Sequence, residues 1–494
     1  MQPKITWQPL LLLALLIYFP LFLRLDSLVI QLWDESRLAI NAYEMYQNGN
    51  YLVTYFEGKP DMWNTKPPLM IWLQTITMHL LGPTTLSVRL PAALAALATV
   101  GLLLWFAVRH LKSFWFGAIS ILVLLTSEGY VMLHGTRTGD YDSLLTLFTT
   151  AYLLTFFLYT EHLDQQKYLH YFFVALGLAL FTKGISACFF LPALAIYVVG
   201  RRQLWHFLRE KWLYIDLLLC FGAIAAYYFL REQYNPGYWE AVGENELWGR
   251  FGKTIEEHKQ PFHFYILNWT KQNFVYWYAL LPAGILLGSS LKSDLPRRLT
   301  IFGTLCWVLY MLVISMAQTK LTWYDMPVFP LMAMAVATIL FWIFEYLRTL
   351  PTIPMLLKRA YLPYVFLIAV FTIPYKSIVT NVCFGSEPDW ASYEYEANYY
   401  LVKKAAKSNV AQWKVLSDAY APHLNFYIQT LGNSQKTFVR QYDAQNLTAN
   451  DHVIVRQDHI KAQLEAMYEH EVIDTYKNAK IYRIIARKNA VMTP

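Results

Sequence analysis

The sequence predicts an all-α polytopic membrane protein with a small α/β domain at its C-terminal end. Of its 494 residues 56% are hydrophobic and 15% charged, and the mean hydropathy is +0.28, a balance that soluble domains do not carry. Apolar stretches long enough to cross a bilayer, roughly 20 residues each, recur as far as Pro374 and are absent after it. We therefore expect a transmembrane domain over 1–380 and an extracytoplasmic α/β domain over 381–494.

About eleven spans fit the first domain, and the charges of the loops orient them. The loops on one side all carry Lys or Arg, which the positive-inside rule assigns to the cytoplasm. The apolar run 68–81 is too short to span, and counting it would place Arg201 and Arg202 outside, so we interpret it as a re-entrant or surface-lying helix. The expected spans are 8–24, 86–108, 114–134, 143–160, 168–182, 185–199, 212–230, 274–290, 299–317, 325–346 and 360–378.

This orientation makes the protein multi-pass in a bacterial inner membrane, with the long loops 25–85 and 231–273 and the C-terminal domain on the periplasmic side. The formal net charge of +7 is concentrated in the cytoplasmic loops, so we expect no nucleic-acid partner. In the C-terminal domain, 387–408 and 460–470 have helical patterns, while 414–417, 452–455 and 480–486 have strand patterns.

Charged residues collect at the outer membrane boundary, where they are costly unless they are paired or hydrated. Each alone has an ordinary explanation: an acid can cap a helix, a lysine can snorkel to the interface, and His258 can be a simple loop histidine. Together they favour a site, because the positive-inside bias makes outer lysines scarce. The set comprises Asp34, Glu35 and Arg37, then Lys66, then Arg137, Asp140 and Asp142, then Lys183, His258, and Lys320 with Tyr324 and Asp325.

The first of these acids open an amphipathic stretch from Asp34 to Gln47, which predicts a helix on the outer leaflet. Adjacent residues point about 100° apart on a helix, so Asp34 and Glu35 cannot both face one substrate atom. One is therefore expected to be chemical and the other structural.

The residue types suit attack by an acceptor on a sugar whose leaving group is a lipid phosphate. A carboxylate such as Asp34 can take the proton of an acceptor hydroxyl. Lysine side chains can hold the departing phosphate and stabilise the charge that develops on it. The membrane accommodates the lipid tail of such a donor.

Six segments in order resemble motifs of the GT-C type membrane glycosyltransferases, among them the aminoarabinose (lipid A) transferases and the bacterial enzymes similar to protein O-mannosyltransferases. They span residues 30–335, and each is weak alone. The segments are WDESRLAINAYEMYQNGNYL, NTKPPLMIWLQ, SVRLPAALAAL, HGTRTGDYDSLLTLF, LALFTKGISA and AQTKLTWYDMPVFPLMAMAVA.

The resemblance implies a polyprenyl-phosphate-linked sugar donor and a lipid, glycan or protein acceptor of the cell envelope. It also implies roles for individual residues. Asp34 corresponds to the essential acid, and Asp142, or alternatively Asp140, to a second one. Donor or acceptor binding would fall to Glu35, Arg37, Lys66, Asp140, Lys183, His258, Lys320 and Tyr324.

Two departures from the pattern concern a metal and the acceptor. Some aminoarabinose transferases have an aromatic residue after the arginine and a metal-binding acid before the Lys-Pro pair, where this chain has Leu38 and Thr65. These departures weigh against a metal at this position and against lipid A as the acceptor. We therefore name no metal ligand and no cofactor, while a divalent metal and lipid A modification both stay open.

Two other function classes fit parts of the pattern. A transporter or flippase of lipid-linked saccharides would also have many spans with boundary charges, but its charges should lie near the bilayer midplane. A non-enzymatic scaffold would leave the outer charges without a role. An inverting glycosyltransferase accounts for most of the observations.

Overall fold

A computed structural model describes residues 7–132, 134–247, 259–350, 361–385 and 389–488. Within these ranges, seven helices are long and apolar enough to cross a membrane, which makes the chain a multi-pass membrane protein. They are Thr85–Arg109, Tyr141–Glu161, Gln166–Cys188, Lys211–Tyr234, Asp294–Met316, Met326–Thr349 and Leu362–Phe384.

Four shorter apolar helices coincide with the other four predicted spans: Trp7–Phe22, Phe114–Leu125, Leu191–Gly200 and Tyr278–Ser289. The helix from Phe114 ends nine residues before the predicted limit of 134 (134 − 125 = 9). Thr126 and Ser127 there donate their hydroxyls to the carbonyls of Leu122 and Val123, bonds that compete with the helical backbone pattern. A short helix, Glu128–Val131, follows the break.

Cations from two loops that were predicted to be cytoplasmic meet at one end of the bundle. At one end of the Tyr141–Glu161 helix, Glu161 forms ion pairs with Arg201 and Arg298. At the other end lies Asp140, among the residues expected on the outer side. The described part of the chain therefore keeps its predicted cytoplasmic cations and its outer acids at opposite ends of one span.

Two helices that precede the Thr85–Arg109 span, Asp34–Asn48 and Leu69–Leu81, share one buried cluster. The second is a shorter apolar helix, and its re-entrant or surface-lying placement stays a prediction. On the first, Leu38, Ala42 and Met45 share one buried face, as predicted, but that face packs on protein rather than on lipid. Its partners are the Leu69–Leu81 helix and the C-terminal region.

Short elements complete the outer and connecting loops. A two-stranded hairpin pairs β1, Tyr55–Phe56, with β2, Lys59–Pro60. Further short helices are Leu204–Arg209, Tyr238–Val242 and Phe264–Asn268.

The C-terminal region is an α/β unit with one five-stranded sheet in the order β4-β3-β5-β7-β6. The strands β3, β4 and β5 run parallel, while β7 is antiparallel to β5 and β6. They are β3 Gln412–Leu416, β4 Thr437–Gln441, β5 His452–Val455, β6 Tyr468–Tyr476 and β7 Ala479–Arg487, accompanied by the helices Asp389–Lys403, Pro422–Thr430 and Asp458–Met467.

One hydrophobic core joins this unit to the outer helices. Ile454 and Ile481 of the sheet belong to the same buried cluster as Met45 and Met70. Polar bonds cross the same boundary, because the backbone N–H of Ile30 donates to the Tyr427 hydroxyl at 2.9 Å. The C-terminal unit is thus seated directly on the helix that begins with Asp34.

Candidate active site

Asp34 and Glu35 have different environments, as their helical spacing requires. The Asp34 side chain is 54% exposed at the start of its helix. Glu35 is 1% exposed and accepts two bonds from Arg89, at 2.7 and 2.9 Å, and one from the backbone N–H of Gly139. Glu35, expected to bind substrate, is therefore fully engaged within the protein, where it fixes the segment that leads to Asp140.

Gly139 allows that segment to approach the bundle closely. A Cβ at this position would lie 2.6 Å from Val88 Cγ1 and 2.8 Å from Gln74 Nε2, so a side chain would push the segment away. Gln74 Nε2 also donates to the Gly139 carbonyl at 2.8 Å. Asp140 follows directly and is held 2% exposed.

One histidine, His134, lies close to both Asp140 and Asp34. His134 Nδ1 is 3.3 Å from Asp140 Oδ2 and 3.8 Å from Asp34 Oδ2, and its ring stacks on Trp323 at 3.5 Å. Burial is the largest effect and raises the pKa of Asp140 to about 7. The charge of His134 opposes this shift, and the charges of Asp34 and Glu35 add to it. Asp34 is the more exposed of the two acids, with 54% of its side chain exposed against 3% for Asp140.

These three side chains are also the described group most suited to a metal ion. One ligand atom from each of Asp34, His134 and Asp140 lies within 4.8 Å of the others. Two carboxylates and an imidazole are donors that divalent transition metals accept. This group does not include Thr65, which stands where some aminoarabinose transferases have a metal-binding acid.

Four of the predicted site residues line one small cavity. Lys183 Nζ lies 2.5 Å from Asp142 Oδ1, with both side chains buried, and 5.2 Å from the centre of the Tyr324 ring. Lys66 Nζ lies 2.9 Å from Glu246 Oε1. These five side chains, together with mostly apolar neighbours, line a cavity of about 50 Å³, which is room for a water or two.

A buried polar network connects this cavity to Arg37. Lys66 lies 5.6 Å from the centre of the Tyr141 ring, and Tyr141 donates its hydroxyl to Asn64 Oδ1 at 3.0 Å. The Asn64 backbone N–H donates to Asp61, which accepts two bonds from Arg37 at 2.7 and 2.9 Å. Burial alone would raise the pKa of Asp61, but the bonds and charge of Arg37 lower it. Arg37 is thus anchored by a carboxylate that stays ionised.

Lys320, another of the predicted residues, is not among the residues that line the cavity. Lys320 donates its amine to the carbonyls of Gln260 and Ala317 at 2.9 and 2.6 Å, although Ala317 itself lines the cavity. Burial lowers the pKa of Lys320. His258 lies outside the described residues.

His134, Glu246 and Trp323 were not among the predicted site residues. His134 opens one of the quoted motifs and Trp323 lies inside another, so both were visible, but neither lies next to a charged residue that drew attention to it. Glu246 is one of several acids in a long loop, and only its contact with Lys66 distinguishes it.

The fold defines the class of protein: the chain is a membrane protein with the GT-C fold. The resemblance carried by the sequence motifs is thereby confirmed. The crystal structure of ArnT from Cupriavidus metallidurans bound to undecaprenyl phosphate matches with a TM-score of 0.72, over 97% of this chain and 98% of that chain at 16% identity. The apo oligosaccharyltransferase of Archaeoglobus fulgidus matches with 0.55, over 88% and 65% at 13% identity.

Sequence comparisons give the same picture. Residues 65–229 match the family model of dolichyl-phosphate-mannose-protein mannosyltransferases. The undecaprenyl phosphate-alpha-4-amino-4-deoxy-L-arabinose arabinosyl transferase of Aeromonas salmonicida is 31% identical over 342 residues, which is 66% of this chain and 59% of that protein. Its counterpart from Pectobacterium atrosepticum is 28% identical over 321 residues, 62% and 54%. The chain thus spans less than two thirds of the length of these relatives.

Proposed function

We propose that this protein is a glycosyltransferase that moves a sugar from a polyprenyl-phosphate carrier to an envelope acceptor. The observation that carries the proposal is the cavity lined by both Lys66 and Lys183, together with the exposed Asp34 at the start of its helix. Two amines can grip a phosphate, and an acid can act on a hydroxyl. The names of the relatives indicate undecaprenyl phosphate-linked 4-amino-4-deoxy-L-arabinose as the first donor to test.

The residues divide the work of an inverting displacement. The donor phosphate takes the place of the Glu246 carboxylate on Lys66, and Lys183 stabilises the negative charge that grows as the sugar–oxygen bond breaks. Asp142 orients Lys183 through their ion pair, and Tyr324 covers its amine. Asp34 accepts the proton of the acceptor hydroxyl, or positions an acceptor that is already ionised.

The direct test compares transfer by the wild type and by Asp34→Asn. Labelled undecaprenyl phosphate-linked 4-amino-4-deoxy-L-arabinose is supplied with lipid A or with other envelope glycolipids as the acceptor. Loss of a positioned general base should lower transfer by about 10²–10⁴-fold and leave binding of undecaprenyl phosphate unchanged. Glu44→Gln, a carboxylate of the same helix, is the control and should transfer normally.

Two outcomes would contradict the proposal. Equal transfer by Asp34→Asn would remove Asp34 from the mechanism. Movement of the lipid-linked sugar across proteoliposomes without transfer to any acceptor would identify a flippase.

We also propose that the site and the C-terminal domain, 381–494, face the periplasm from the inner membrane. The support is the distribution of Lys and Arg among the loops. Two exposed positions at opposite ends test this, Asn450→Cys in the C-terminal unit and Lys292→Cys between two spans. In spheroplasts of a Gram-negative host, an impermeant maleimide should label the first and not the second, and the reverse pattern would overturn the orientation.

A further inference from the structure

An exposed aromatic pair borders the candidate acid and joins two distant parts of the chain. Trp33, immediately before Asp34, is 57% exposed, and Tyr420 of the C-terminal unit is 41% exposed. Their ring centres are 5.2 Å apart with an interplanar angle of 30°. The mechanism above uses neither ring.

The backbone holds Trp33 in a conformation that is unfavourable for its residue type. Its φ is +76° and its ψ is −117°, and a bulky residue keeps such a strained conformation only where its surroundings impose it. The Trp33 carbonyl accepts a bond from the hydroxyl of Ser36 and another from the backbone N–H of Arg37, both at 3.0 Å. These bonds retain the strained turn that leaves the indole in solvent beside Asp34, and such strain concentrates at binding sites.

Tyr420 is fixed by groups of the candidate site. Arg37 Nη1 donates to the Tyr420 hydroxyl at 3.2 Å, while the rest of its guanidinium is held by Asp61. The same guanidinium lies 4.1 Å above the Phe56 ring, whose centre is 6.3 Å from that of Tyr420. A rigid pair of rings is thus anchored at one edge and open to solvent on the other.

A ligand for this surface has to match both its apolar rings and its charged border. Exposed Trp and Tyr also occur as anchors at membrane interfaces, but here they stand next to the charged side chains of Asp34 and Arg37, which a lipid tail would avoid. A saccharide ring offers C–H groups to the aromatic faces and hydroxyls to the carboxylate and the guanidinium. A hydroxyl of a sugar stacked on Trp33 would lie toward Asp34.

We propose that Trp33 and Tyr420 form a stacking subsite for a saccharide ring of the acceptor. The C-terminal unit then takes part in acceptor recognition through Tyr420. This inference rests on the proposed transfer reaction for its biological meaning, but the binding itself does not depend on transfer.

Binding of a soluble disaccharide tests the subsite separately from activity. Saturation-transfer NMR is recorded with N,N′-diacetylchitobiose and the full chain in detergent. The wild type should bind, and Trp33→Ala and Tyr420→Ala should each weaken binding about tenfold, the factor for a ring contact of ordinary strength. Tyr420→Phe keeps the ring and should bind within about twofold of the wild type. Tyr442→Ala, also an exposed aromatic of the C-terminal unit at 61%, should bind normally.

Transfer kinetics and reconstitution complete the test. Where transfer is measurable, Trp33→Ala and Tyr420→Ala should raise the KM for the acceptor and leave the KM for the donor unchanged. Wild-type binding of the disaccharide by both alanine variants, or absence of binding by the wild type, would overturn the subsite even if transfer occurs. Normal disaccharide binding with poor reconstitution of both variants into phosphatidylethanolamine–phosphatidylglycerol vesicles would identify membrane anchors instead. Disaccharide binding without any transfer would refute the proposed function and retain the subsite.

Discussion

The buried pair of Lys183 and Asp142 has a structural role and a chemical role that paired substitutions can separate. The charged atoms are 2.5 Å apart and the side chains are 8% and 4% exposed. Lys183→Met leaves the Asp142 carboxylate buried without a cation, which should cost about 3–5 kcal/mol of stability. Adding Asp142→Asn removes the second charge, so most of that loss should be recovered.

Donor binding should respond differently from stability. A hydrogen bond to a charged group contributes about 1.5–3 kcal/mol, so both the single and the double variant should bind undecaprenyl phosphate roughly 10- to 100-fold more weakly. Denaturant unfolding in one detergent measures the stability, and titration with undecaprenyl phosphate measures the binding. A double variant that binds like the wild type would exclude Lys183 from the phosphate site, and one no more stable than Lys183→Met would refute the energetic argument.

Three further outcomes follow from other contacts. Glu246→Gln should bind undecaprenyl phosphate about fivefold more tightly in the same titration, since a partly buried pair with Lys66 worth about 1 kcal/mol no longer competes; weaker binding would contradict the displacement step. Glu35→Gln weakens a buried pair with Arg89 and should cost about 3–5 kcal/mol on denaturant unfolding, and wild-type stability would be the contrary result. The pKa of Asp61 is lowered in the folded state. The stability that the ionised Asp61 contributes is therefore full above the ordinary carboxyl pKa of about 3.9 and is lost as the pH falls through the folded-state pKa. The difference in unfolding free energy between the wild type and Asp61→Asn should close below about pH 4, and a constant difference would refute this.

The membrane part of the fold was accessible from the sequence because its dominant signal is local. Each span is an apolar run of fixed minimum length, and the Arg201 and Arg202 pair sufficed to exclude the 68–81 run as a span. The end of the helix at Thr126 was not predicted. The hydroxyls of Thr126 and Ser127 donate to carbonyls of the same helix, and residues that do so are also compatible with a continuous helix, so the sequence does not show the break. The apolar face of the Asp34–Asn48 helix was predicted, but the protein surface that covers this face was not. An amphipathic pattern shows that a helix face will be buried and does not show what will bury it.

The C-terminal unit shows where local patterns fail. The strands β5 and β7 have clear β-branched or apolar runs and were predicted, whereas β4 and β6 were not. The helix predicted over 460–470 is wrong at its end, because Tyr468 already begins β6. That strand reads YEHEVIDTY, and its pairing with β7 rather than its own composition makes it a strand.

The structure brings some of the residues predicted for the site together and leaves others apart, while their roles stay a prediction. Lys66, Lys183, Asp142 and Tyr324 meet at one cavity, as the chemistry of a phosphate site suggested. Glu35 and Lys320 carry the right chemical groups, but their contacts lie within the protein, and such contacts depend on segments far apart in the chain. The same distance explains why Glu246 could not be assigned to Lys66 beforehand.

The shared core of the outer helices and the sheet has a consequence for biosynthesis. Ile481 of β7 lies in the same cluster as Met45, more than four hundred residues earlier (481 − 45 = 436). The helix that begins with Asp34 leaves the ribosome early and can pack on the Leu69–Leu81 helix soon afterwards. The part of its buried face that the C-terminal unit covers stays exposed until almost the whole polypeptide has been translated. A prematurely terminated chain would keep this apolar surface uncovered even with all of its spans made.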